Sequence, residues 1–585
     1  MIEFLTHNMA PLMFGALILM LLIGYPVAFA LAATGIFFGL IGIELGLLQP
    51  SLLQALPERV WGVMSNDTPL AVPFFTFMGL ILERSGMAED LLDTIGQLFG
   101  PLRGGLAFAV IFVGALLAAT TGVVAASVIS MGLISLPIML RYGYDRRFAS
   151  GTIAASGTLA QIIPPSLVLI IMADQLGRSV GDLYQGAFIP GLTLTGLYVL
   201  FAIGVTVLKP DWAPALPPEA RTLREPNGAS GTNSLIALVI VTTVIAVVFA
   251  QTHYPADAPI DVVLVVSTAA GVGFAFAASV VNHVLKLGLL SRLAVRVTFV
   301  LIPPLALIFL VLGTIFLGVA TPTEGGAMGA TGALIMAIAR RRLSFSLLRQ
   351  AMDSTARLTC FVVFILLGAR VFSLTFYGVD GHIWVEHLLT SLPGGQLGFL
   401  IAVNILVFVL AFFLDFFELS FILVPLLGPV ADKLGIDLVW FGILLAINMQ
   451  TSFMHPPFGF ALFYLRSVAP SKDYVDKVTG KLIPRVTTGQ IYWGAVPFVL
   501  IQILMVTLVI AFPGLVTSGL AKKQIIDTQN IQIEVPPEIQ EMPGSGNAAG
   551  EDPNKTGAEA DDDDPQKAIE RAMRGDPPKE PANKK

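Results

Sequence analysis

The sequences GYDRRFASGTIAASGTLAQIIPP at residues 143–165 and GIDLVWFGILLAINMQTSFMHPP at residues 435–457 share a 23-residue pattern. Each copy opens on Gly-x-Asp and closes, after eighteen further residues, on a pair of prolines inside an apolar segment. Proline lacks a backbone donor and frees carbonyl groups, and within a membrane no water can satisfy them. Paired breaks at matching positions of two halves are typical of the binding site of a membrane transporter.

Composition excludes an ordinary soluble protein. Mean hydropathy is +0.80, and 55% of the residues are hydrophobic while only 13% are charged. Many stretches approach or exceed the roughly 20 apolar residues that cross a bilayer as a helix. We therefore predict an all-α polytopic membrane protein whose core faces membrane lipid. The single cysteine, Cys360, leaves no disulfide framework or thiolate metal cluster, and the first apolar run lacks the marks of a cleavable signal.

Several classes of function have no support in the sequence. It contains no nucleic-acid signature and no Gly-rich phosphate loop ending in Lys-Ser/Thr, so ATP is not expected to power the chain directly. An intramembrane hydrolase would need a nucleophile with its base, a His-Glu-x-x-His helix or paired aspartates, and we find none. A channel would not need two inverted breaks. We therefore predict a carrier that is not an enzyme and has no organic cofactor.

The repeat also predicts the domain organisation. We expect a first inverted repeat at 1–208 and a second at 291–515, separated by a polar loop and a two-helix insertion at 209–290. The residues after 515 are rich in Pro, Gly and acidic side chains. Because such a segment cannot bury enough apolar area to offset its ordering entropy, 516–585 is predicted to be a disordered tail. Within the repeats we predict an interfacial arm at 88–100, helical hairpins at 106–140 and 397–431, and broken helices at 164–165 and 456–457.

Basic residues predict the orientation of the two hairpins. Arg103, Arg141, Arg146 and Arg147 flank the first hairpin, whereas only Lys433 lies near the base of the second. Basic flanks stay in the cytoplasm. The first hairpin is therefore predicted to be re-entrant from the cytoplasm, and the second to be its inverted partner opening to the periplasm.

At this point the sequence resembles a known family, the large membrane subunit of tripartite ATP-independent periplasmic (TRAP) transporters, within the ion-transporter superfamily of elevator carriers. The resemblance covers roughly residues 10–515, except 226–290. It rests on matching motifs, namely Gly143-Tyr144-Asp145, Ile162-Ile163-Pro164-Pro165-Ser166, Thr321-Pro322-Thr323-Glu324, Phe413-Leu414-Asp415, Gly435-Ile436-Asp437 and Pro456-Pro457-Phe458-Gly459. Two motifs depart from the usual pattern. His455 stands where the family has threonine before the prolines, and the second tip reads Asp415-Phe416-Phe417-Glu418 instead of Asp-Pro followed by apolar residues.

The resemblance implies a multi-pass carrier of the bacterial inner membrane that is driven by a sodium gradient and works by an elevator movement. It implies two protein partners, a small four-helix membrane subunit and a periplasmic substrate-binding protein. Substrates of the family are small organic anions such as dicarboxylates, 2-oxo acids or sugar acids. The alternative is a stand-alone sodium- or proton-coupled anion symporter of the same superfamily.

Two sodium sites are predicted where each hairpin tip meets a broken helix, because unwound backbone supplies the oxygen ligands that sodium prefers. The predicted ligand sets are Thr121, Gly122, Ile163 and Pro164 for the first ion, and Asp415, Met454, His455 and Pro456 for the second. Pro165 and Pro457 complete the two breaks. Hydroxyl groups could assist, although small polar residues also serve simply to pack membrane helices. The candidates are Thr120, Thr121, Ser127, Ser156, Thr158 and Ser166.

Ionisable residues inside a membrane are costly and indicate function by default. Arg370, Asp415, Glu418 and His455 are therefore candidates for binding substrate or ion. Alternatively, Arg370 forms a structural ion pair with Asp415 or Glu418, which we favour slightly. His455 could bind a substrate carboxylate, carry a proton or cap freed backbone. For Glu324 we favour a capping box over a ligand role, with Thr321 as the cap.

Overall fold

A computed structural model describes residues 2–122, 124–223, 225, 230–255, 260–457 and 459–520. From residue 521 onward, the predicted tail lies outside the described residues. The side chains of Thr120 and Thr121 are also outside them.

The described chain is mainly helical. Its first part contains α1 (Ile2–His7), α2 (Met9–Ile23), α3 (Val27–Glu44), α4 (Ser51–Gln54), α5 (Leu56–Met64), α6 (Ala71–Arg84), α7 (Met87–Phe99), α8 (Gly105–Thr121), α9 (Val124–Arg141), α10 (Arg146–Thr158), α11 (Leu167–Leu176) and α12 (Val180–Leu208). Two further helices, α13 (Thr232–His253) and α14 (Ile260–Val284), follow the polar loop.

The second part contains α15 (Arg292–Phe316), α16 (Pro322–Ala339), α17 (Phe345–Gly378), α18 (Gly381–Thr390), α19 (Gly395–Leu410), α20 (Phe416–Lys433), α21 (Leu438–Ser452), α22 (Phe460–Val468), α23 (Thr488–Ala511) and α24 (Gly514–Thr517). Two short strands, β1 (Tyr474–Val475) and β2 (Leu482–Ile483), pair antiparallel between α22 and α23.

Eight of the described helices are long and apolar enough to cross a membrane. Two helix pairs reach the same length only together and are sharply bent. The pair Thr68–Arg84 and Met87–Phe99 bends by 59°, and the pair Gly381–Thr390 and Gly395–Leu410 bends by 115°. The chain is therefore a multi-pass membrane protein, as its composition predicts.

The repeated Gly-x-Asp sequence forms the start of a helix in both copies. Gly143 and Gly435 have φ angles of +85° and +73°, which favour glycine. Two residues later, the Asp145 carboxylate accepts the backbone N–H groups at the start of α10, and Asp437 does the same for α21. These caps fix the point at which each broken helix begins.

The helices pack in two sets, which also contact each other directly through α6 and α8. In one set, α17 lies against α3 and α6, and α16 also packs on α6. In the other set, α10 contacts α8, α9 and α23, while α21 contacts α11, α19, α20 and α23. The interrupted helices thus lie at the centre of the second set, and α17 borders it through α20.

The loop between α22 and α23 is tied to the end of α9 by one carboxylate. Asp476 pairs with Arg141 at 2.9 Å and accepts the backbone N–H and the hydroxyl of Thr479 at 2.8 and 2.7 Å. Burial raises the pKa of Asp476, but the hydrogen bonds from Thr479 and Arg141 outweigh that effect and lower the pKa to about 2. The contact therefore stabilises the fold fully above the ordinary Asp pKa of 3.8 and is lost as the pH falls towards 2.

We expect Asp476→Asn to loosen this loop at neutral pH, because the amide keeps an acceptor but loses the ion pair. Trypsin cleavage at Lys477 and Lys481, measured by mass spectrometry at pH 8, should become several-fold faster than in the unmodified protein. The comparison variant is Asp473→Asn. Asp473 lies in the same loop and accepts a backbone N–H from Arg485 at 2.8 Å, whereas the ion pair with Arg141 belongs to Asp476. Equal cleavage rates in all three proteins would contradict the assigned role of Asp476.

Candidate binding site

A cavity of about 280 Å³ lies where two helical tips meet two helix breaks. The first tip joins α8 to α9, and the second joins α19 to α20. The breaks separate α10 from α11 and α21 from α22, and all four places contribute to the cavity wall. Ligand sites in proteins commonly measure about 300–1,000 Å³, so this cavity lies just below that range and suits only a small molecule.

The first tip lies directly against the first break. Gly122 ends α8 with a φ of +59° and lines the cavity. A Cβ atom at this position would lie 3.2 Å from the Leu167 side chain, 3.5 Å from the Leu167 nitrogen and 3.7 Å from the Pro165 oxygen. Thr120 and Thr121 precede Gly122 at the end of α8, and their side chains lie outside the described residues. The structure therefore brings the predicted tip and break together at the backbone.

The first break is closed by Ser166. The Pro164–Pro165 peptide bond is cis, and the chain resumes its helix at Leu167. The Ser166 hydroxyl donates to the Gln161 backbone oxygen at 2.6 Å and accepts the Val168 N–H at 3.2 Å. It thus satisfies one carbonyl before the prolines and one amide after them.

Two other predicted hydroxyl groups are buried but do not line this cavity. Ser156 donates to the Thr152 oxygen at 2.6 Å, and Thr158 donates to the Ala155 oxygen at 2.8 Å. Thr158 also accepts an N–H from the Gln450 side chain at 3.2 Å. Ser156 bonds within α10, and Thr158 links α10 to α21.

The two acidic residues of the second tip cap α20. The Asp415 carboxylate accepts the Glu418 N–H at 3.0 Å, and the Glu418 carboxylate accepts the Asp415 N–H at 2.9 Å. This reciprocal arrangement is a capping box, which satisfies two donors that the start of a helix leaves free. Asp415 also lines the cavity.

The ion pair expected for Arg370 does not form. Within the ranges that the structure describes, no carboxylate oxygen lies within 4.0 Å of its guanidinium nitrogens. The prediction that Arg370 pairs with Asp415 or Glu418 is therefore wrong for this conformation. The physical reason is that both carboxylates accept backbone N–H groups at the start of α20. Arg370 is half-buried on α17 and is not part of the cavity wall.

The second break resembles the first in its backbone but not in its side chains. The Pro456–Pro457 bond is again cis. The oxygens of Phe453 and His455 accept the N–H groups of Ala461 and Gly459, both at 3.0 Å, so downstream amides satisfy carbonyls that precede the prolines. Met454 is fully buried, as is nearly all of His455.

The His455 ring is held by aromatic contacts. It stacks on Phe412 with ring centroids 3.9 Å apart and meets Phe408 edge-on at 4.8 Å. Neither ring nitrogen has a partner at ordinary hydrogen-bond geometry among the described residues. His455 lies beside the second tip, outside the wall of the cavity.

Glu324 is part of a capping box, as its sequence predicts. Its carboxylate accepts the Thr321 N–H at 2.8 Å, and the Thr321 hydroxyl accepts the Glu324 N–H at 3.3 Å. Pro322 is the first residue of α16. This exposed group is not part of the cavity wall.

Gln161 and Tyr464 both line the cavity but were not among the residues predicted from the sequence. Gln161 is 2% exposed, and its side-chain oxygen has no hydrogen-bond partner among the described residues. The sequence offered one signal for Gln161, since it is a polar amide three residues before Pro164 inside an apolar segment. Tyr464 gave none, because an aromatic residue in a membrane helix is ordinary.

The chain matches a family model across most of its length. Residues 14–515 match the tripartite ATP-independent periplasmic transporter, DctM component. A C4-dicarboxylate TRAP transporter large permease protein, DctM, from Pseudomonas aeruginosa is 27% identical over 72% of this chain and 82% of its own length. The 2,3-diketo-L-gulonate TRAP transporter large permease protein YiaN from Escherichia coli is 24% identical over 81% of this chain and 93% of its own.

A third relative has a longer chain. The isethionate TRAP transporter permease protein DctMQ from Oleidesulfovibrio alaskensis is 24% identical over 81% of this chain and 63% of its own length. These relatives are transport permeases and not enzymes. The family match covers the two tips, the two breaks and the cavity between them. The chain therefore belongs to the DctM family, the large permease components of tripartite ATP-independent periplasmic transporters.

Proposed function

We propose that this chain carries a small organic anion across the bacterial inner membrane by a sodium-coupled elevator movement. The observation that carries this proposal is the cavity between the two tips and the two breaks, since four helices begin at its wall. They are α9 at Val124, α11 at Leu167, α20 at Phe416 and α22 at Phe460. The start of a helix carries about half a positive charge, which favours an anion nearby.

The relatives support an anionic cargo. The substrates in their names are C4-dicarboxylates, isethionate and 2,3-diketo-L-gulonate, which are all anions. No lysine, arginine or histidine lines the described part of the cavity. Helix N-termini would therefore supply the positive potential that a cationic side chain provides elsewhere.

Sodium would bind beside the cavity, where each tip meets its break. The proposed ligands remain the sets around Gly122 with Pro164 and around Asp415 with His455. The neighbouring positions of Gly122 and the first break support the first set, since a Cβ atom at Gly122 would lie 3.7 Å from the Pro165 oxygen. Since Asp415 is an acidic group on the cavity wall, it supports a cation in the second.

An elevator movement fits the two sets of helices. Nearly all of the cavity wall comes from the set that contains the tips and breaks, whereas Leu358 and Phe361 belong to α17 of the other set. In the proposed cycle, the set that contains the tips and breaks moves past α17 and carries the cavity with it. The α8–α9 and α19–α20 pairs would then be the re-entrant hairpins, opening to the cytoplasm and the periplasm respectively.

The proposed assembly has two further components. A periplasmic protein would deliver the cargo, and a small four-helix membrane subunit would hold the stationary set of helices. The name DctMQ of the isethionate relative supports a close association of two membrane components in this family.

The test is uptake into proteoliposomes that contain the chain, the small subunit and the binding protein encoded beside it. The labelled cargo is the carboxylate that this binding protein retains in a screen. We expect uptake to fall to the level of empty liposomes when choline replaces sodium outside, because the ion sites would be empty. The control repeats the replacement of sodium by choline with a proton gradient imposed across the membrane. Equal uptake in choline, driven by the proton gradient, would overturn sodium coupling and direct attention to His455.

A further inference from the structure

A second cavity, of about 420 Å³, lies between the end of α12, the first turns of α23 and the start of α10. We call it the α12–α23 groove. None of its described residues lines the cavity between the tips and the breaks. Phe148, Phe201 and Phe498 form its apolar floor. The Phe201 ring centroid lies 6.3 Å from that of Phe148 and 5.0 Å from that of Phe498, so the floor is a continuous aromatic surface that joins three helices.

The groove is open at the surface of the helix bundle. Both α12 and α23 are long and apolar enough to cross a membrane. At the edge of the groove, Trp493 is 68% exposed and Leu208 is 82% exposed. Gly204 leaves further space, since a Cβ atom there would meet no atom within 4 Å. Apolar side chains that are exposed on membrane-crossing helices contact lipid, so an acyl chain has direct access to the floor.

Two basic side chains border the groove without an acidic partner. Arg147 and Lys209 line it, and its described residues include no aspartate or glutamate. Within the ranges that the structure describes, no carboxylate oxygen lies within 4.0 Å of the side-chain nitrogens of either residue. The Lys209 ammonium lies 3.9 Å from the centre of the Trp212 ring, a contact that orients the charge without neutralising it. The edge therefore has two positive charges that suit an anionic group.

The residues at the edge are typical of the level of the lipid headgroups. Trp212 and Trp493 both line the groove together with the two basic side chains. Tryptophan is enriched at the membrane–water interface, and basic pockets between membrane helices on the cytoplasmic side bind acidic headgroups. The basic residues before α10 predict that this end of the helices is cytoplasmic, where the leaflet carries a negative surface potential.

We propose that the α12–α23 groove binds an acidic phospholipid of the cytoplasmic leaflet. Its phosphate lies between Arg147 and Lys209, because a guanidinium can donate two N–H groups to phosphate oxygens. One acyl chain lies along the phenylalanine floor and covers its apolar surface. The two uncompensated positive charges favour this occupant over an apolar helix of a partner protein. The bound lipid links α10, which precedes the first break, to α12 and α23.

The test is lipid binding by the full-length chain in detergent, measured by native mass spectrometry during titration with phosphatidylglycerol. Phosphatidylcholine with the same acyl chains is the comparison because it carries no net charge, and inorganic phosphate is the competitor. We expect the first phosphatidylglycerol to bind at least about tenfold more tightly than phosphatidylcholine. Inorganic phosphate should not displace it, because phosphate lacks the acyl chains. Equal binding of the two lipids, or displacement by phosphate, would overturn the inference.

A pair of double variants tests the position of the phosphate. Arg147→Gln with Lys209→Gln should weaken binding of the first phosphatidylglycerol about tenfold and leave phosphatidylcholine binding unchanged. The matched control is Arg341→Gln with Arg349→Gln, which removes the same charge from two exposed residues outside the groove. This control should bind phosphatidylglycerol as the unmodified protein does. Equal losses in the two double variants would assign the preference to the overall charge of the protein and contradict a site in the groove.

Two single variants on α23 test the position of the acyl chain. Trp493→Ala removes an aromatic side chain from the edge of the groove and should weaken phosphatidylglycerol binding several-fold. Leu500→Ala removes an apolar side chain of the same helix that is 61% exposed and lies outside the groove, so binding should be unchanged. Equal effects of the two changes would contradict the proposed position of the chain.

The small membrane subunit is the competing occupant. If adding this subunit displaces the first phosphatidylglycerol and shields a cysteine placed at Trp493 from a thiol reagent, the groove is a protein interface and the inference fails. Retention of the lipid in the presence of the subunit supports the inference.

Discussion

Replacing Gly494 by alanine is expected to destabilise the protein by about 3 kcal/mol, because the contact between α10 and α23 has no room for a side chain. A Cβ atom at Gly494 would lie 2.1 Å from the Arg147 oxygen. The facing residue, Gly151, is equally confined, since its Cβ would lie 2.0 Å from the Gly494 oxygen. Real Cβ contacts are essentially never shorter than 3.0 Å, so the two helices would have to separate.

Gly489 supplies the matched control on the same helix. An added Cβ there meets no atom within 4 Å, and alanine favours a helix over glycine by up to about 1 kcal/mol. Gly489→Ala should therefore be neutral or stabilising, whereas Gly494→Ala lowers the apparent melting temperature and the yield of monodisperse protein in size-exclusion chromatography. Melting temperatures that change in the same direction and by the same amount would show that the Gly494 contact does not control helix packing.

The fold was accessible from sequence where local chemistry decides it. The two breaks could be predicted because proline has no backbone N–H group and so cannot donate the hydrogen bond that a continuous helix needs. The Thr321–Glu324 capping box was predictable because both partners lie within one helical turn. The close approach of α10 and α23 was not predictable, because Gly151 and Gly494 are far apart in sequence and glycines are common in membrane helices.

The candidate site was only partly accessible. Gly122 was a predicted site residue, and the structure places it on the cavity wall against the first break. The Arg370 prediction failed because sequence reasoning paired charges by type and overlooked that Asp415 and Glu418, three residues apart, form a capping box on one helix. Gln161 and Tyr464 were missed because their convergence on one cavity depends on tertiary packing.

Gly122→Ala is expected to reduce transport by at least about tenfold while the protein still folds, because a shift of well under 1 Å can disable a preorganised site. The left-handed backbone at Gly122, with a φ of +59°, strains any L side chain by roughly 1–2 kcal/mol. Its Cβ would also press on Leu167 at 3.2 Å. Since Leu167 begins α11, its side chain would have to move by a few tenths of an ångström at the proposed ion site.

Gly177→Ala separates this effect from backbone strain alone. Gly177 ends α11 with a φ of +61°, and a Cβ there meets no atom within 4 Å. Both variants should lose similar amounts of thermal stability, because both place alanine in the left-handed region. Only Gly122→Ala should lose sodium-dependent uptake in proteoliposomes and need more sodium for half-maximal rate, because only there does the new methyl group lie between the tip and the break. Normal uptake by Gly122→Ala would show that this contact is not needed for ion coupling. Equal loss of uptake in both variants would assign the defect to strain, and the first sodium site would have to be sought elsewhere.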